Sequence, residues 1–205
     1  MGKIGLVLFL FLTLQESFLN GQERLRIEVY FESLCPDSSN FIKYQLYPAW
    51  DLIKNHVDIR FIPFGKSKSY KNGLIFHCQH GQRECEGNKM MSCGLSRLID
   101  QTDQVRFIEC FMTAFKKVRW NKNEFGRQCF DQIGLSFENL ANCYESEEGI
   151  NLQLEAEILT NMIKPAFVPT VVYNGIFNQH LQDASQISFR MVVCKLLSQT
   201  RQIDC

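Results

Sequence analysis

The sequence predicts an α/β domain in which a strand–helix–strand unit and a strand–hairpin–helix unit flank a block of helices. Three observations carry this. "LRIEVYF" (25–31) alternates Leu25, Ile27, Val29 and Phe31 with polar or charged neighbours, a period of two. "VDIRFIPF" (57–64) is a second apolar-rich run, and the segment between the two has helical spacing. Near the end, "FVPTVVYNGIFNQH" places two short apolar runs around Asn174-Gly175, a strong hairpin dipeptide, before the amphipathic "ASQISFRMVVCKLL".

In chain order, strand 25–31 leads into a loop containing Cys35. A helix is expected over 41–54, with Phe41, Ile42, Leu46, Trp50 and Ile53 on or near one face and Pro48 bending it. With strand 57–64 this makes a right-handed βαβ unit and sets Cys35 at the carboxyl end of the first strand. "GKSKSYKNG" reads as a polar loop with a turn at Asn72-Gly73. Helical periodicity then recurs over 90–98, 105–118, 137–144 and 151–162. The resulting architecture is a thioredoxin-like fold with a helical, cysteine-rich insertion over about residues 78–165.

At 205 residues one domain is expected, and an apolar share of 45% suffices for its core. Acidic and basic residues balance at 22 each without a basic stripe, so nucleic acid is not an expected partner. Lys3 precedes an almost unbroken apolar stretch, Ile4–Leu14, too short to span a bilayer. This reads as a signal peptide over 1–21, leaving a domain over 22–205 with no membrane segment after cleavage. All nine cysteines lie beyond it, and in an oxidising compartment an odd number leaves at least one unpaired.

"CPDS" (35–38) places Cys35 just before a helix, with Pro36 suited to its first position. Backbone N–H groups and the helix dipole stabilise a thiolate there. Position alone leaves a reactive thiol and one end of a disulfide equally open, and the odd cysteine count favours the free thiol. Val168-Pro169 stands between helix and hairpin, where such a fold places a cis-proline beside its cysteine. That geometry leaves the Val168 backbone to pair with an extended substrate. The alternative is an ordinary proline at a strand start. In "CQHGQRECEGNKMMSC" (78–93), the cysteine spacings match no zinc ribbon or finger, so disulfides are expected there and no metal site. His80 is read as a general base or, more commonly for a loop histidine, a structural residue.

This segment closely resembles the signature of the gamma-interferon-inducible lysosomal thiol reductase family, through Cys78, Gln79, His80, Gly81, Glu84, Cys85, Asn88 and Cys93. The resemblance extends to "RFIPFG", "VPTVVYNG" and the final Cys194 and Cys205. It implies a thioredoxin-like, soluble enzyme that reduces disulfides in proteins, often at acidic pH, in lysosomal antigen handling or host defence. It puts the nucleophile on Cys35 and the resolving cysteine on Ser38, while the cis-proline reading above makes Val168 and Pro169 the expected substrate-binding positions. Cys78, Cys85, Cys93, Cys110, Cys129, Cys143, Cys194 and Cys205 are then structural.

Ser38 departs from that pattern. A serine hydroxyl can hydrogen-bond a thiolate but cannot release a mixed disulfide as a second thiolate does. No bound cofactor is expected, and turnover would need an external thiol such as glutathione or a second cysteine on the substrate. Three readings follow: a one-cysteine oxidoreductase, a catalytically weakened substrate-binding protein, and a structural module with Cys35 blocked. No Asn-x-Ser/Thr occurs in the sequence, so the expected location is extracellular, or lysosomal by a glycan-independent route.

Overall fold

β1 (Leu25–Phe31) is the central strand of the sheet in a computed structural model that describes residues 24–115 and 127–201. It pairs in parallel with β2 (Val57–Pro63) and antiparallel with β5 (Thr170–Tyr173), in the order β2–β1–β5. Leu25 faces Val57, Phe31 faces Pro63, and Val29 lies opposite Val171. The expected alternation gives way at the carboxyl end, where Tyr30 and Phe31 are both buried. The reason is that both sheet faces are covered. Leu25, Ile27, Val29 and Phe31 pack with Phe41, Leu46, Trp50 and Phe189, whereas Tyr30 packs with Ile62, Phe64, Val172 and Ala156.

The first helical run starts earlier than its apolar spacing indicates. α1 (Pro36–Phe41) continues through a π-helical turn, Ile42–Leu46, into α2 (Tyr47–Ile53). Its polar first turn, Asp37-Ser38-Ser39, hides the start from hydrophobic periodicity. Pro48 explains the π turn. Lacking an N–H, it cannot bond the Tyr44 carbonyl and its ring crowds that group. The helix widens just before it, and the Tyr47 N–H bonds the Ile42 carbonyl.

The expected polar loop after β2 contains a small hairpin, β3 (Lys68–Tyr70) with β4 (Ile75–His77). Its turn uses positive φ at Lys71, Asn72 and Gly73, as the Asn-Gly pair suggested, but its three-residue strands are too short to show a period. The insertion continues with α3 (Gln82–Arg97), α4 (Gln101–Phe115), α5 (Arg127–Asp131), α6 (Phe137–Glu145) and α7 (Glu147–Ile163). α3 starts well before the expected 90 because its first turns are polar, and α5 is too short to show a period. α3 and α4 approach closely at Gly94, where a Cβ would lie 2.4 Å from the Phe107 ring. Phe107 joins Phe111 and Phe130 in a cluster of mutually tilted rings at this contact.

Disulfides Cys78–Cys85, Cys93–Cys143 and Cys110–Cys129 tie the insertion together. Cys194 is also disulfide-bonded. Cys205 and the expected signal peptide lie outside the described residues.

The segment after β5 differs from the expected two-strand hairpin. Asn174 and Gly175 do form a turn at positive φ, but only an isolated Tyr173–Ile176 bridge follows. Asn178 Oδ1 accepts the Leu181 N–H at 3.1 Å, which starts α8 (Gln179–Arg201) before a second strand can grow. α8 breaks at Ser188, and the Gln45 side chain accepts the Phe189 N–H there at 3.3 Å. Among the described residues, no helix is long and apolar enough to cross a membrane.

Candidate active site

Cys35 caps the amino end of α1 from an extended backbone conformation, four residues after the buried end of β1. Its side chain is buried, and among the described residues it is the one cysteine outside a disulfide. The sulfur accepts the Ser38 N–H at 3.4 Å and lies 3.6 Å from the Val168 carbonyl oxygen. Ser38 is fully buried three residues on, and its hydroxyl oxygen accepts the Glu32 N–H at 3.5 Å. The backbone of Ser38, rather than the hydroxyl considered from sequence, therefore contacts the sulfur.

The Val168–Pro169 bond is cis. The strand it leads into is fixed by Gln182, a buried residue of α8. Its amide accepts the Val171 N–H at 2.7 Å and donates to the Pro169 carbonyl at 2.9 Å. One side chain thus satisfies one backbone group of β5, which lies at the sheet edge, and one of the proline just before it. Val168 and Pro169 also line a cleft of about 550 Å³ with Asp37, Tyr44, Phe167 and Gln186. Tyr44 is well exposed at its lip.

The signature segment packs against the Cys35 loop. Asn88 Oδ1 accepts the Ser33 N–H at 2.8 Å, and Ser33 Oγ donates to the Glu84 carbonyl at 2.9 Å. Both contacts are buried, so losing either would leave a desolvated polar group. Glu32, also fully buried, accepts the Lys66 N–H through Oε1 at 2.6 Å. Its stem fills the space beside Gly65, whose φ of +59° and lack of a Cβ permit this approach. Glu84 accepts the His80 N–H through Oε1 at 3.0 Å, and its Oε2 lies 2.6 Å from His80 Nδ1. Burial, helped by the neighbouring Glu84 charge, pushes the Glu32 carboxyl up to about 7.

The fold therefore brings Cys35, Ser38, Val168 and Pro169 together, while Cys78 and Cys85 pair with each other at the start of the signature segment. Cys93, Cys110, Cys129, Cys143 and Cys194 occupy the helical layers. Sequence reasoning did not single out Glu32 or Gln182. For Glu32 a signal was present: a carboxylate directly after the buried run Val29-Tyr30-Phe31. Gln182 carries no pattern of its own, because its role depends on α8 returning to the sheet edge.

Residues 26–133 match the family model described as gamma interferon inducible lysosomal thiol reductase. The Anopheles gambiae gamma-interferon-inducible lysosomal thiol reductase-like protein is 31% identical over 200 residues, covering 90% of this chain and 81% of that protein. Drosophila melanogaster GILT-like protein 1 is 32% identical over 197 residues, covering 89% of this chain and 78% of its own length. The fold is also similar to solved oxidoreductase structures. A variant of Pseudomonas aeruginosa DsbA aligns with a TM-score of 0.58 at 15% identity, covering 90% of this chain and 91% of that one. Bacillus subtilis BdbD gives 0.56 at 14% identity, covering 85% and 88%. These neighbours show a thioredoxin-like fold. The chain belongs to the gamma interferon inducible lysosomal thiol reductase family.

Proposed function

We propose that this chain is a thiol–disulfide oxidoreductase that acts on disulfide-containing proteins through the single nucleophile Cys35. The observation that carries this reading is a free cysteine at the amino end of α1, beside the Val168 carbonyl. The thiolate attacks one sulfur of a substrate disulfide; a Cys35–substrate disulfide forms and the other substrate sulfur leaves as a thiolate. N–H groups at the helix start stabilise the anionic sulfur before attack. Val168, held in place by the cis bond to Pro169, offers its backbone to an extended substrate segment, and the adjoining cleft receives side chains that flank the substrate cysteine.

Ser38 supplies no second thiolate. Release therefore requires an external thiol such as glutathione, which attacks the mixed disulfide, frees Cys35 and leaves the substrate reduced at one sulfur and glutathionylated at the other unless more thiol follows. Attack by a second cysteine of the substrate gives isomerisation instead. The family relationship and the expected signal peptide support action outside the cytosol, extracellular or lysosomal, in host defence. The second reading, a substrate-binding protein with turnover lost, rests on the absent thiol at position 38.

Assaying reduction of a disulfide-bonded protein against glutathione concentration separates the two. Turnover should rise with glutathione and fall to the uncatalysed rate in Cys35→Ser. Equal rates with and without the protein would leave the binding reading.

A further inference from the structure

The most specific stretch of the sequence, the signature around His80 and Glu84, has no part in the thiol chemistry above, yet it builds a second polar centre. We infer that Glu32, His80 and Glu84 form a binding site for one divalent transition-metal ion, for which Zn²⁺ is the natural probe. Their potential ligand atoms lie within 4.8 Å of one another. Glu32 and Glu84 are fully buried, and His80 is 41% exposed at the mouth. Two buried carboxylates repel each other and are costly to desolvate, while a dication with a neutral imidazole balances both charges.

The second observation is at Glu32 Oε2. This fully buried atom has no hydrogen-bond partner and lies 3.7 Å from His80 Nδ1. The remaining oxygens are already anchored: Glu32 Oε1 by the Lys66 N–H and Glu84 Oε1 by the His80 N–H. Each carboxylate is thus held through one oxygen and presents the other, the usual way outer hydrogen bonds orient metal ligands. The Glu32–His80 separation of 3.7 Å is near the roughly 3.3 Å expected between ligands about 2 Å from a tetrahedral Zn²⁺. The Glu84–His80 pair, at 2.6 Å, must open, and the half-exposed His80 ring has room to move. Two carboxylates and one imidazole leave a fourth position for water, and the imidazole disfavours Mg²⁺ or Ca²⁺. The cysteine spacings predicted no metal; these ligands are instead two glutamates and a histidine that only the fold assembles. Bound metal would fasten α3 and the Lys66 loop to the base of the Cys35 loop.

Calorimetric titration of ZnCl₂ into the chelator-treated full chain tests this. Saturable binding of about one ion per chain is expected, unchanged in Cys35→Ser, and weakened roughly tenfold or more in His80→Ala. His80→Ala alters a half-exposed side chain; its melting curve without metal checks that it folds. Glu84→Gln should weaken binding as well if that variant folds. Absence of saturable binding would overturn the inference and leave a proton-sharing cluster. So would binding that His80→Ala leaves intact, or binding that Cys35→Ser abolishes.

Discussion

Ser38→Cys is expected to raise disulfide reduction at limiting glutathione by roughly tenfold or more, because a thiol on the same turn acts at high effective concentration. The geometry favours the exchange. Ser38 lies three residues after Cys35 in a continuing helix, and its N–H already touches the Cys35 sulfur at 3.4 Å. The introduced thiolate would attack the Cys35 sulfur of the mixed disulfide and expel reduced substrate. This leaves an internal disulfide between Cys35 and the new thiol, which external thiol reopens. Ser38 is fully buried, so the larger sulfur must be accommodated, and weakening of the Glu32 N–H contact adds a modest cost. Initial rates across a glutathione series, with melting curves for both proteins, measure this. A folded Ser38→Cys protein without gain in rate would mean that the surrounding site no longer supports turnover.

The second large effect concerns stability. Removing the Cys93–Cys143 disulfide, with both cysteines replaced by alanine, is expected to lower unfolding free energy by about 4 kcal/mol. The bond spans 50 residues, so it restrains a long stretch of the unfolded chain, and both partners are buried. The Cys78–Cys85 bond spans 7 residues and should cost about 2.5 kcal/mol on the same chain-entropy argument. Denaturant melts of the two double variants give the ordering. A larger loss from the short loop would show that Cys78–Cys85 acts chiefly through folded-state contacts.

Much of the frame was legible because its signals are local. The period-two run of β1, the apolar β2 and the Asn174-Gly175 turn each follow from neighbouring side chains. The position of Cys35 before Pro36 was equally local. What sequence hid depends on distant partners. The π turn before Pro48 has a local cause, but its register shows only in the backbone bonds. The second strand after Asn174-Gly175 is pre-empted by the Asn178 cap. Glu32, Asn88 and Gln182 matter through residues far along the chain: Lys66, Ser33 and the β5 backbone. The family signature names most residues around His80, but spacing could not show that they pack beneath the Cys35 loop.

The central claim is that Cys35 alone carries the covalent step. Mixing the protein with a disulfide-bonded peptide in the absence of added thiol, quenching in acid and weighing the intact chain tests it most directly. An adduct of one peptide half on Cys35 is expected, removed by dithiothreitol and absent from Cys35→Ser. A native chain that forms no such adduct, or in which Cys35 is already bound to another cysteine, would contradict it.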